Sequence, residues 1–167
     1  NTHTDAFIDG MDFWNDREGI IYGDPIDGRM LLLRTTDGGL SWKPVKQSPQ
    51  LEKGEASFAA SGTGIRCFTK TEVVIATGGA VSRLWHSSDK GETWRPLHVP
   101  VIQGEGGTGI FSVGMKGNTW VVVGGDYQKS QQTDRHVFYS TDAGKAWHAP
   151  EVPTRGYREC VEPVAGQ

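Results

Sequence analysis

Cysteine is scarce: two in 167 residues, Cys67 and Cys160, with no Cys-x-x-Cys pair. That excludes a disulfide-rich scaffold and a cysteine zinc site. Long apolar runs are missing too. The longest are stretches such as Met30–Leu33 and Trp120–Val123, far short of the ~18 residues of a membrane-spanning helix. Charge of one sign is not in excess, with 17 basic against 20 acidic side chains, so no electrostatic footprint for nucleic acid or an anionic membrane exists. Sustained helical periodicity is absent. The five His (His3, His86, His98, His136, His148) show no metal-ligand spacing, and no residue pattern points to a metal or cofactor. What the chain has is glycine, 23 residues, and six Trp. Glycine at roughly twice its usual ~7% share implies many turns and close backbone approaches.

A repeat organises these residues. Thr35-Thr36-Asp37-Gly38-Gly39-Leu40-Ser41-Trp42 recurs as Ser87-Ser88-Asp89-Lys90-Gly91-Glu92-Thr93-Trp94 and as Ser140-Thr141-Asp142-Ala143-Gly144-Lys145-Ala146-Trp147. The three Asp are spaced by 52 and 53 residues. Four short apolar segments accompany each copy. Inner strands are expected at Ala6–Phe13, Ile65–Phe68 and Ile110–Val113, and second strands end in Gly near Gly23, Gly78 and Gly124. Third strands lie at Met30–Arg34, Arg83–His86 and His136–Tyr139, and fourth strands open at Trp42, Trp94 and Trp147. Four antiparallel strands per ~50-residue unit predict an all-β propeller. Its blades are expected at about 5–48, 58–100 and 108–153, with a fourth beginning at about 156–167.

In each copy the motif is the turn between third and fourth strands. Asp37, Asp89 and Asp142 are expected to accept backbone N–H bonds. Gly39, Gly91 and Gly144 supply positive φ, and Trp42, Trp94 and Trp147 bury a ring between strands. One per blade at the periphery, these turns cannot converge on a ligand, so they are assigned to structure.

These residues resemble the Asp-box, or bacterial neuraminidase, repeat. The longer pattern around Gly23-Asp24-Pro25, Phe58–Thr63 and Gly124-Gly125-Asp126-Tyr127 is similar to the photosystem II assembly-factor-like propellers and to an uncharacterised exported branch labelled "oxidoreductase". The resemblance implies the fold, a bacterial periplasmic or secreted location, and a role in binding a protein partner or assisting complex assembly. It carries over no catalytic residue. The Arg-Ile-Pro signature of sialidases is missing, and Arg17, Arg34 and Arg95 share no pattern. Gly104-Glu105-Gly106-Gly107-Thr108-Gly109 matches the dinucleotide fingerprint in letters only, since an expected strand rather than a helix follows it.

Binding residues are therefore sought on the loop end opposite the Asp turns. That end collects Asp24, Asp27, Glu55, Arg83, Asp126, Tyr127 and Arg158, with Asp24 and Asp126 as the foremost pair. Two functions remain open: a non-catalytic scaffold for a protein partner, or a carbohydrate-active hydrolase or lyase using Asp24, Asp27, Glu55 or Asp126 as acid and base on a glycan. Three units do not close a ring of ~4–8 blades. The expectation is that further blades, or a second copy, complete it.

Overall fold

The computed structural model describes residues 5–152 and 154–164, so Pro153 at the expected end of the third blade and residues 165–167 of the expected fourth lie outside them. Thirteen strands follow one another among the described residues: β1 (Ile8–Phe13), β2 (Gly19–Ile26), β3 (Arg29–Thr35), β4 (Lys43–Pro44), β5 (Glu55–Ala56), β6 (Ile65–Cys67), β7 (Val73–Ala76), β8 (Gly78–Gly79), β9 (Arg83–Ser87), β10 (Arg95–His98), β11 (Thr108–Lys116), β12 (Thr119–Asp126) and β13 (Val137–Ser140). A single 3-10 turn, Tyr127–Lys129, interrupts them. All pairings are antiparallel. This is a partial β-propeller.

The first sheet runs β1-β2-β3-β4 and the second β6-β7-β9-β10, each a meander of neighbouring strands. The third, β5-β8-β11-β12-β13, holds an extra link. Gly78, just beyond the second strand of blade two, pairs with Gly109 at the start of blade three, and also with Ala56. Gly78 and Gly109 must both be glycine, because a Cβ on Gly78 would stand 2.6 Å from the Thr108 carbonyl oxygen and one on Gly109 would collide with the Gly78 backbone. The fourth strand of blade three, expected from Trp147, shrinks to one bridge, Tyr139 to His148. Pro150 follows two residues later and has no N–H to extend a ladder.

The expected opening of a fourth blade forms no ladder among the described residues. The segment is nevertheless docked: Arg158 N–H donates to the Gly124 carbonyl at 3.0 Å and Val161 N–H to Ser112 Oγ at 3.1 Å. A blade's first strand is held by its second, and no second strand follows it among the described residues.

The core lies between blades. Ile20, Tyr22 and Leu32 of blade one face Ile65, Val73, Ile75 and Trp85 of blade two. Val74, Ala76 and Leu84, on the other side of blade two, face Val113, Trp120, Val122 and Phe138. Strand alternation produces this double use, since neighbours in β7 point to opposite faces.

Each Asp turn is tied the same way. The hydroxyl of Thr35, Ser87 or Ser140 donates to the Asp two residues on at 2.7, 2.8 and 2.8 Å. The same hydroxyl accepts the N–H of Gly39, Gly91 or Gly144. Asp37 and Asp89 also take N–H and O–H from Ser41 and Thr93, whereas Asp142 receives only N–H from Ala146 and Lys145. These donors hold all three carboxyls below the usual range: Ser41 contributes most at Asp37 and Ala146 at Asp142, while at Asp89 burial opposes the effect and the Thr93 and Ser87 bonds outweigh it. Asp89→Ala is expected to lower the unfolding free energy by about 1 kcal/mol, read as a shifted urea midpoint. Asp142→Ala should cost less, because Ala146 offers no hydroxyl to lose.

Candidate functional site on the loop end

The Asp turns mark one end of the blades. Gly38, Lys90 and Ala143 each donate N–H to the first turn of the same blade, at Arg17, Thr71 and Asn118. The opposite end gathers the loops between second and third strands and the loops between blades. There Leu51 N–H donates to Gly28, Gly104 to Gly79, Tyr127 to Gly107 and Tyr157 to Ser130.

The residues expected to bind on this end separate into two groups. Glu55 and Arg83 come together, but inward. They form a buried ion pair, and the same carboxylate accepts from Thr77 Oγ1 at 2.7 Å, Trp85 Nε1 at 3.1 Å and Glu52 N–H at 3.0 Å. Burial works to raise the Glu55 pKa, yet Arg83 and these other donors together hold it below its ordinary value. Arg83 also stacks on the Trp85 ring at 4.7 Å. Every acceptor site is engaged, so the pair pins the 45–64 loop to β9. Asp27 is a turn residue: with φ 51° and followed by Gly28 at φ 76°, it makes the two-residue hairpin between β2 and β3.

Asp126 is 4% exposed and caps the 3-10 turn, accepting from Gln128 N–H at 2.9 Å with Lys129 Nζ at 3.5 Å. Arg158 turns back onto the Tyr157 carbonyl. Among the described residues no hydrogen bond or ion pair joins Asp24 to Asp126.

Asp24 has a different neighbour. Asp9 sits at the bulge of β1, where the register with β2 skips between Ile8 and Gly10. A bulge re-aims a side chain, and this one points Asp9 into a site where it is 6% exposed and its Oδ2 has no hydrogen-bond partner. Burial, with the Asp24 charge adding, pushes the Asp9 carboxyl up to about 7. Tyr22, fully buried beside it, donates to the Phe58 carbonyl at 3.3 Å. Burial and the Asp9 charge push its phenol upward.

The same bulge occurs in β11, between Ile110 and Ser112, and there the bulged residue is Phe111, which stays buried. Phe111 stacks on Phe58 at 3.9 Å and 7°, and meets Tyr157 edge-on at 4.8 Å and Tyr127 at 6.3 Å. Tyr127, half exposed, and Phe7, 58% exposed, bring aromatic surface to solvent on this end. Asp24 N–H donates to the Phe7 carbonyl, and Tyr22, beside Asp9, reaches the Phe58 carbonyl, so the acidic pair lies next to Phe7 and to the Phe58 end of the aromatic group. Of the residues expected here, Asp24 and Tyr127 belong to this site. Asp9, Phe58, Phe111 and Tyr157 do not follow from motif spacing; the signal available was an inner strand, Ile8–Phe13, that carries two Asp, Asp9 and Asp12, among apolar residues.

A family model described as "Sortilin, neurotensin receptor 3" (Sortilin-Vps10) matches residues 31–160. A search of curated protein sequences finds no match. Solved structures share the fold. YCF48 bound to D1 peptide superposes with TM-score 0.59 at 19% identity, over 86% of this chain and 40% of that one. The GH74 enzyme of Niastella koreensis does so with TM-score 0.62 at 17% identity, over 85% of this chain and 22% of that one. The GH74 xyloglucanase of Xanthomonas campestris gives TM-score 0.56 at 16% identity, over 96% and 24%. The chain thus spans less than half the length of these neighbours.

Two outcomes test the geometry. Arg83→Met leaves Glu55 buried without its cation and is expected to cost about 3–5 kcal/mol in urea unfolding. Asp9 titrates in the opposite sense from the Asp turns. The folded protein holds this proton up to about pH 7, whereas an unfolded Asp releases it near 3.8, so stability falls as pH rises between those values and levels off above. The slope should reach at most about 1.4 kcal/mol per pH unit. Asp9→Asn should remove it and be the more stable protein at about pH 8, as read from urea midpoints across that range.

Proposed function

The chain belongs to the Sortilin-Vps10 family, and from that premise we propose that it is a propeller scaffold that binds an extended peptide segment of a protein partner on the loop end. The observation that carries this reading is the aromatic group Phe58–Phe111–Tyr157–Tyr127 beside the Asp9–Asp24 carboxyls. Aromatic rings give large contact area at small entropic cost, and residues on loops held by a rigid scaffold are where binding concentrates. Asp24 favours a basic residue in the peptide. YCF48, which has this fold, is seen with D1 peptide, and that supports a peptide as the ligand and an assembly role as its use.

Asp9 and Asp24 favour a second reading, glycoside cleavage. A carboxyl that stays protonated to about 7 is what a general acid needs, and Asp24 beside it supplies the second carboxyl group. GH74 enzymes share the fold.

A fluorescent peptide library with apolar and basic positions separates the two. Tyr127→Ala with Phe58→Ala should weaken the selected peptide about tenfold or more, and Asp24→Asn should weaken basic peptides selectively. Unchanged affinity in both variants overturns the binding reading. Release of reducing sugar from a xyloglucan and β-glucan panel, lost in Asp9→Asn, would establish cleavage instead.

A further inference from the structure

The repeat supplies its own comparison at the opposite end of the blades. Lys90 and Ala143 follow the Asp of their turns, share φ 58°, and donate N–H to Thr71 and Asn118 at 2.7 and 2.9 Å. They hold one structural position in successive blades. Glu18 and Glu72 also correspond, each opening the turn-to-second-strand step of its blade. Its carbonyl accepts from Trp14 N–H in one case and Phe68 N–H in the other. Lys90 reaches back one blade and places Nζ 2.6 Å from Glu18 Oε2. At the next interface Glu72 keeps the carboxylate, but residue 143 is alanine and the ammonium is gone.

A cavity of about 230 Å3 occupies that place, lined by Phe68, Thr69, Glu72, Met115, Trp120 and Ala143 among others. A water takes up roughly 30 Å3, so an aliphatic amine fits. Phe68 and Trp120 meet edge-on at 5.4 Å and 75°. Trp120 Nε1–H is buried and has no acceptor. The polar contact of Glu72 is His86 Nε2 at 3.2 Å, while His86 Nδ1 accepts from Arg95 Nε at 3.1 Å. With Nδ1 an acceptor, the imidazole is the neutral tautomer carrying its proton on Nε2. Burial, then Arg95, holds it below its ordinary pKa. His86 is therefore uncharged and supplies no counter-charge to Glu72, which stands with two aromatic rings around the cavity, a setting that attracts a cation through both the carboxylate and the ring quadrupoles.

We propose that this cavity between blades two and three binds a primary alkylammonium, with Glu72 as counter-ion and Phe68 and Trp120 as its walls. The source is a lysine side chain presented by another molecule or a free diamine. This site lies on the Asp-turn end and is independent of the loop-end reading above.

The probe is n-butylammonium, followed through the Trp120 indole N–H signal in nitrogen-15 spectra of the full chain, with Trp120→Phe giving the assignment. The signal is expected to shift saturably with n-butylammonium and not with n-butanol or sodium chloride. Glu72→Gln should weaken the response about tenfold or more. Ala143→Lys recreates the Lys90 arrangement at a φ that Lys already adopts, so it should raise the melting temperature and abolish the response. Cadaverine binding more tightly than Nα-acetyl-lysine amide assigns the diamine, and the reverse order assigns the side chain. An equal response to n-butanol, or a response that survives Ala143→Lys, overturns the proposal.

Discussion

The fold depends on one three-centre interaction, a Ser or Thr hydroxyl held between a glycine N–H and an aspartate oxygen. It ends the third strand of each blade at Thr35, Ser87 and Ser140, where the side chain is buried. It commits the next glycine to positive φ, at 90°, 82° and 78°. That geometry delivers the residue after Asp onto the first turn of the same blade. Both hairpins of a blade are thereby locked at one end, and the following Trp is set against the turn, with Trp42 and Trp94 donating Nε1–H to Gly39 and Gly91. The carboxylate must be ionised to accept so many donors, which is why all three Asp are held acidic.

The other end of the blades is governed by close backbone approach. Gly23 and Gly124 lie directly against the carbonyl oxygens of Phe7 and Gly109, with no space for a Cβ. These crossings let a connecting segment pass tightly over the end of a second strand. At the same crossings β1 and β11 each carry a bulge, and the bulged residues, Asp9 and Phe111, are buried members of the candidate site that regular alternation would have placed elsewhere.

The legible parts of the sequence were those set by local, repeated chemistry. The three turns rest on one eight-residue motif, and the strand units on short apolar segments that follow one another in the chain around it. Glu55–Arg83 was legible only as two charged residues on one end. Their pairing spans 28 residues and depends on the Gly54–Ala80 contact, 2.9 Å from Ala80 N–H to the Gly54 carbonyl, which no motif announces. Asp9 was hidden for a sharper reason: a one-residue register skip reverses which face a side chain takes. Asp27 misled because Asp-Gly is at once an acidic loop residue and the preferred pair for a tight hairpin turn. The Phe58–Phe111 stack joins different blades, and only the ring arrangement brings it about.

Because each blade packs only on its neighbours, a change at one interface leaves the others as they were. The third turn shows how far such a change can go. It has Ala146 where Ser41 and Thr93 donate a hydroxyl, Ala143 where Lys90 crosses to Glu18, and Trp147 with no acceptor for its N–H. Each loss is local, and the core of Val113, Trp120, Val122 and Phe138 beneath it stays closed. A buried carboxylate that has lost its cation normally costs the fold several kcal/mol or is neutralised. Glu72 is not buried in that sense: its side chain is about a third exposed and reached by solvent. Exposure is what makes the missing lysine tolerable here, and the same exposure is the route by which an external ammonium reaches the site.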